Sequence, residues 1–176
     1  MTVDGSWNPT GNAWTCTLLG SGAQAFGGTQ GNVSFSALRL EATAGRTISF
    51  SNSDPTYTVS GTFTSTGSAI TVDSAAARTF EVSGNVTCNA STTLSTNTTL
   101  SLLGAAAQSV GGTGATLTLN NLRFEATAGR TVSFSSSDTT YTVNGTMTSG
   151  GSATVTVDAT AARTLEILQP AELPIV

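Results

Sequence analysis

One six-residue phrase written eight times along the chain constrains its fold more than any other feature. The copies are Thr15 to Gly20, Asn32 to Ala37, Thr56 to Gly61, Thr79 to Gly84, Thr99 to Gly104, Thr116 to Asn121, Thr140 to Gly145 and Thr164 to Gln169. Apolar residues hold the second and fourth places and mostly hydroxyl residues the first and third, the period-2 pattern of a strand with one buried face. The intervals between copies are uneven, shortest from Thr15 to Asn32 and from Thr99 to Thr116. Their mean of roughly 21 residues is too short for independent domains and suits the coils of a solenoid.

Stacking the copies predicts two inward ladders, beginning Cys16, Val33, Tyr57, Phe80 and Leu18, Phe35, Val59, Val82, with no charge in either. Burial stabilises such a coil by roughly 1.5–3 kcal/mol per large side chain, but only when neighbouring coils cover it. The sixth place is glycine in five copies, Gly20, Gly61, Gly84, Gly104 and Gly145, where a residue tolerant of positive φ would serve a tight corner. Further strands are read at Thr47–Phe50, Ile70–Val72, Thr131–Phe134 and Val155–Val157, and no amphipathic helix of three turns is found.

A longer repeat lies over the short one: the segment Leu38 to Ser68 returns as Leu122 to Ser152. Read together, the two periods predict an all-β parallel β-solenoid of about eight coils of roughly 21 residues, organised as about two 84-residue units. Residues 1–14 are expected to form a partial coil or cap, 15–169 the solenoid, and 170–176 a cap or linker, because Pro170 and Pro174 cannot donate to a strand ladder. Two immunoglobulin-like sandwiches are the rival architecture at this repeat length, but a sandwich has no reason to repeat one strand motif every coil. Disorder, which low charge and small polar residues also fit, conflicts with the regular apolar alternation.

Composition excludes several functions. Charged residues make up 9% of the chain, Lys and His are absent and the formal charge is −4. Such a surface lacks the clustered cations that neutralise phosphates, so neither nucleic acid nor a membrane surface is an expected partner. Apolar stretches are too short to cross a bilayer. The amino terminus lacks the basic and apolar regions of a secretory signal, consistent with an intracellular protein or with a fragment whose export signal was removed. The abundance of Thr, Ser, Gly, Ala and Asn favours the second.

The run Ala107 to Gly114 followed by Leu119-Asn120-Asn121-Leu122, set among the repeated phrases, resembles the parallel β-helix repeats of large secreted bacterial surface proteins, including autotransporter and filamentous-haemagglutinin-type adhesins. The resemblance implies an extracellular or cell-surface location and a non-enzymatic role, as an adhesin stalk or surface-layer scaffold. Surface glycans or other copies of the solenoid are then the expected partners. A carbohydrate-binding or polysaccharide-cleaving β-helix is the alternative, and an ice-binding solenoid the third.

Site chemistry is sparse. Without His there is no His-based triad, and Cys16 and Cys88 stand alone without the paired spacing of a zinc site. Three coils apart, at about 4.8 Å per coil, the two thiols should lie roughly 14 Å from each other and remain unbonded, buried as small hydrophobes. All six arginines and eight of the ten acids fall in repeat pairs, Arg39 with Arg123, Arg46 with Arg130, Arg78 with Arg163, Glu41 with Glu125, Asp54 with Asp138, Asp73 with Asp158 and Glu81 with Glu166. An active site is normally a unique constellation, so charges copied with the repeat read as scaffold, and no catalytic, cofactor-binding or metal-ligating residue is expected. Arg39 and Glu41 share an outward face and could cross-link coils. Gly111 to Thr116 lacks the Asp of a calcium-binding nonapeptide. Trp7 and Trp14 have no repeat partner and suit either sugar stacking or capping of the first coil.

The outward threonines are the most suggestive surface feature. Thr15, Thr56, Thr79, Thr99, Thr116, Thr140 and Thr164 are expected on one face as a possible surface ladder, with a parallel column beside it broken by Glu81 and Glu166. Thr-x-Thr arrays of this kind are similar to those of ice-binding solenoids. High β propensity and good ladder stacking account for the same threonines without a ligand.

Overall fold

The computed structural model describes residues 14–27, 33–51, 56–114, 116–135, 140–151, 154–159 and 162–168. In chain order the strands are β1 (Thr15–Gly20), β2 (Gln24–Phe26), β3 (Val33–Phe35), β4 (Ala37–Ala42), β5 (Arg46–Phe50), β6 (Thr56–Val59) and β7 (Phe63–Gly67). There follow β8 (Ile70–Asp73), β9 (Arg78–Val82), β10 (Val86–Cys88), β11 (Thr92–Leu94), β12 (Thr98–Gly104), β13 (Gln108–Gly111) and β14 (Leu117–Leu119). The last are β15 (Asn121–Ala126), β16 (Arg130–Phe134), β17 (Thr140–Val143), β18 (Met147–Gly151), β19 (Val155–Ala159) and β20 (Thr164–Ile167).

Every third strand falls in the same sheet. The first sheet runs β1-β4-β7-β10-β13-β16-β19, the second β2-β5-β8-β11-β14-β17-β20 and the third β3-β6-β9-β12-β15-β18. Each neighbouring pair is parallel. The fold is thus an all-β parallel solenoid with three strands to a coil, and no helix occurs among the described residues. Parallel pairing throughout also disposes of the sandwich.

The coil count and length depart from expectation. Register partners such as Gln24, Ile48 and Val72 mostly stand further apart than the mean interval between phrases, and among the described residues no sheet holds more than seven strands. The coils are therefore longer than expected and fewer than eight. The cause is that the six-residue phrase does not keep one phase. Its first copy is β1 in the first sheet, the next four fall on β3, β6, β9 and β12 in the third, and the last three on β14, β17 and β20 in the second. The two shortest intervals, from Thr15 to Asn32 and from Thr99 to Thr116, mark the changes of sheet, because each advances the chain by two strands instead of three. The long repeat carries β4 onto β15, eleven strands on, which is three coils and two strands rather than four coils. Equivalent residues of the two units therefore lie on different sheets.

Inward ladders form where alternation puts them. In the third sheet Val33 is in register with Tyr57, Tyr57 with Phe80 and Phe80 with Leu100, so the expected neighbours do sit on adjacent coils. Tyr57 stacks on Phe80 at 5.2 Å with 16° between rings, and Phe50 meets both edge-on at 4.9 and 4.8 Å. Offset and T-shaped pairs of this kind add about 0.5–1.5 kcal/mol each beyond their buried area. The apolar core is continuous from Phe26 to Val143.

Candidate functional faces

Because the phrase changes sheets, the seven threonines do not make one column. Thr56, Thr79 and Thr99 are in register on the third sheet, where the ladder passes to Asn121. Thr140 and Thr164 are in register on the second sheet, and Thr116, immediately before β14, accepts at its carbonyl from the Thr92 amide at 3.0 Å. Thr15 pairs with Ala37 on the first sheet. The companion column divides likewise: Ser34, Thr58, Glu81, Ser101 and Arg123 follow one another on the third sheet.

A longer ladder lies where the phrase did not point. On the outward face of the second sheet Thr47, Thr71, Thr93, Thr118 and Thr142 occupy five successive coils in register, ended by Glu166. All five are half-buried against one another. Three of them, Thr47, Thr71 and Thr93, belong to no copy of the phrase, and the signal that could have found them is the near-constant interval of the ladder itself.

The five corner glycines divide by physical cause. Gly20 and Gly104, equivalent in the long repeat, have φ of 141° and 109°, in the region that favours glycine. Gly61 and Gly84 are instead held by crowding: a Cβ on Gly61 would lie 2.3 Å from the Ser36 carbonyl oxygen, and one on Gly84 2.5 Å from that of Gly61. At Gly145 the obstacle is the Asn121 Oδ1 at 2.4 Å.

The charged residues are placed in two ways. Arg39 and Glu41 pair along their own strand at 2.8 Å, and Arg123 pairs with Glu125 in the same manner. They do not cross-link coils, since the register neighbours of Arg39 are Thr17 and Thr64. Exposed pairs of this kind contribute about 0–1 kcal/mol.

Arg46 and Arg130, by contrast, are buried at corners. Arg46 donates through Nη1 to Gln24 Oε1 at 2.7 Å and through Nη2 to the carbonyls of Leu18 and, at 2.8 Å, Glu41, while Gln24 Nε2 donates to the Leu19 carbonyl at 2.9 Å. Arg130 repeats the arrangement on the carbonyls of Leu102, Leu103 (2.7 Å) and Glu125 (3.3 Å) and on Gln108 Oε1. Gln108 Nε2 then reaches back to the carbonyls of Val82 at 2.9 Å and Gly84 at 2.7 Å, so this clasp spans three coils. Burial lowers the pKa of both guanidinium groups from the ordinary arginine value. Among the described residues no carboxylate pairs with them; backbone carbonyls and the two glutamine Oε1 atoms accept their hydrogen bonds. Reasoning on charges alone missed the glutamines, although Gln24 and Gln108 are themselves equivalents in the long repeat.

Cys16 and Cys88 are free thiols, half-buried and buried respectively, and both lie in the first sheet with β4 and β7 between them. Burial raises the pKa of each, at Cys88 against a smaller opposing effect of hydrogen bonds from Ser65 and Thr92. Trp14 is 60% exposed. Trp7, Asp54, Asp138, Pro170 and Pro174 fall outside the described residues. Among the described residues no group of three or more His, Cys, Asp or Glu side chains could hold a metal ion, and no helix is long and apolar enough to cross a membrane.

The faces are thus built of strand ladders that carry a few charges, Arg39 and Glu41 on the first sheet, Glu81, Arg123 and Glu125 on the third and Glu166 on the second, and buried Arg–Gln clasps hold the corners. Comparison of the chain with protein-family models, with curated proteins and with solved structures finds no match.

Proposed function

We propose that this chain is a non-enzymatic structural segment of an extracellular or cell-surface protein, serving as an adhesin stalk or surface-layer scaffold. The observation that carries the reading is the pair of corner clasps: the most deeply placed charges, Arg46 and Arg130, are bonded to backbone carbonyls and glutamines of neighbouring coils. Charge buried in this way stiffens the coil stack and presents nothing to a substrate. The resemblance to secreted β-helix repeats supports the same location. Antibodies against the chain should stain intact source cells; staining only after permeabilisation overturns the surface assignment. Release of sugar fragments from any member of a polysaccharide panel overturns the non-enzymatic one.

A second reading, an ice-binding face, is favoured by the five-threonine ladder of the second sheet. Its hydroxyls repeat at the strand spacing of about 4.8 Å, and the Glu81 interruption expected from the sequence lies on another sheet. Shaping of ice crystals by the parent chain, lost in Thr93→Tyr, would establish this reading. Ice growth identical with and without the parent chain would retire it.

A further inference from the structure

We propose that copies of this chain stack head to tail, with β1 of one copy adding as the next parallel strand to β20 of another. The internal repeat supplies the template. β20 (TLEI, from Thr164) repeats the β9 sequence TFEV that starts at Thr79, and β1 (TCTLLG, from Thr15) matches the β12 sequence TLSLLG that starts at Thr99. Within the chain β9 and β12 are hydrogen-bonded neighbours in the register Thr79–Thr99, Phe80–Leu100, Glu81–Ser101 and Val82–Leu102. Transferred to the two ends, that register sets Thr164 against Thr15, Leu165 against Cys16, Glu166 against Thr17 and Ile167 against Leu18.

The backbone phase agrees. In a parallel ladder the N–H and C=O of one residue point to the same side, and successive residues alternate. On β1 the carbonyls of Trp14 and Gly20 accept from Ala37 and Thr43, so Thr15 and Thr17 direct their groups to the open edge. On β20 the flanking Leu168 amide donates to Val143, so the open edge belongs to Leu165 and Ile167. In the template the bond from the Arg78 amide to the Asn97 carbonyl places Phe80 and Val82 toward β12, and Thr99 and Ser101 toward β9. These are the repeat equivalents of the four residues whose groups face the open edges.

Side chains point the same way. The large hydrophobic residues exposed among the described residues are Trp14, Leu19, Met147, Ile167 and Leu168, all on the first or last coil. An open parallel edge flanked by apolar side chains is a template for another chain. The contact joins two different surfaces and adds each copy along the axis of the coil, so it repeats into a fibre rather than a ring. In the template two further strands, β10 and β11, lie between β9 and β12 along the chain. Stacking of this kind does not depend on cellular location or on what the faces bind, so its failure would leave the scaffold proposal standing.

The test uses the full chain. Sedimentation velocity across a hundredfold concentration range should show species that grow past the dimer. Thr17→Pro, which removes an edge amide with no partner strand, should abolish them while the far-UV circular dichroism stays that of the parent. Air oxidation of a mixture of Thr17→Cys and Glu166→Cys chains should then give a 17–166 disulfide, with neither variant cross-linking alone and the parent chain giving none. A monomer at every concentration, because the chain's own terminal segments cover the edges or for any other reason, overturns the proposal. Cross-linking of Thr17→Cys to itself overturns the head-to-tail polarity.

Discussion

Replacing Arg130 by methionine tests whether the corner clasps hold the coils together. Methionine keeps a comparable apolar stem and removes every donor. Four acceptors lose their partner: the carbonyls of Leu102, Leu103 and Glu125, and Gln108 Oε1. A buried acceptor left without a donor costs about 1–3 kcal/mol, and a carbonyl that retains a second bond costs the lower figure. Against this stands relief from burying a guanidinium whose Nε has no hydrogen-bond partner. The balance is a destabilisation of about 3 kcal/mol, and with a urea m-value of about 2 kcal/mol/M the midpoint should fall by about 1.5 M.

Arg46→Met removes the same chemistry from the end of the stack, where three acceptors are involved and the clasp does not extend through its glutamine to a third coil. In a solenoid each coil is stabilised mainly by its neighbours, so opening a central coil propagates and opening a terminal one does not. Arg46→Met should therefore cost less, and amide hydrogen exchange should accelerate in β1, β2, β4 and β5 only. Arg130→Met should expose amides from β9 to β16. Arginine stays protonated even with its pKa lowered by burial, so the midpoint difference should not change between about pH 5 and pH 9. A loss below about 0.5 kcal/mol for Arg130→Met, or a larger loss for Arg46→Met, would refute the reasoning.

Gly84→Ala forces a Cβ to within 2.5 Å of the Gly61 carbonyl oxygen and 2.6 Å of its carbon, and thermal denaturation should show a loss of about 2–3 kcal/mol. Gly22→Ala, with nothing within 4 Å of the added carbon, should be neutral or gain about 0.5 kcal/mol. Ser101 is fully buried with its Oγ unpartnered, so Ser101→Ala should raise stability by about 1 kcal/mol in urea titrations. Cys88 should resist a thiol reagent in the folded chain and react, together with Cys16, after denaturation. Because burial raises both thiol pKa values, their contribution is intact below the unfolded thiol pKa and is lost as pH rises from there through the folded value. Stability should therefore decline in alkaline solution above about pH 8.5, and Cys88→Ala should lessen that decline.

The strands were legible in the sequence because alternation is a local signal: Thr-Tyr-Thr-Val can bury one face only as a strand, and it does so at both Tyr57 and Tyr141. Sheet membership was not legible, because it depends on accumulated length along a coil whose corners vary. The step from Thr79 to Thr99 stays in one sheet, yet the slightly shorter step from Thr99 to Thr116 enters another. Counting phrases as coils therefore gave too many coils and joined two short threonine columns and the separate Thr15 into one. The clasps were hidden for a different reason. Arg and Gln ordinarily read as surface residues, and only the backbone carbonyls that accept from the guanidinium groups, those of Leu18 and Glu41 for Arg46 and of Leu102 and Leu103 for Arg130, make their burial favourable.

The length of the long repeat has a consequence for any function placed on the outside of the coil. Eleven strands is not a multiple of three, so the second unit is rotated relative to the first. The Arg39–Glu41 pair lies on the first sheet and its copy, Arg123–Glu125, on the third. Duplication of this unit cannot extend a binding strip along one face; it winds the strip around the stack. The long threonine ladder of the second sheet is accordingly assembled from residues that are not repeat equivalents of one another: Thr47 and Thr131 are equivalents, and Thr131 sits on the first sheet opposite Thr156. A continuous five-coil threonine column thus arises from strand register and the preference of outward strand positions for threonine, and mutations meant to disrupt a face must be chosen from the register and not from the repeat.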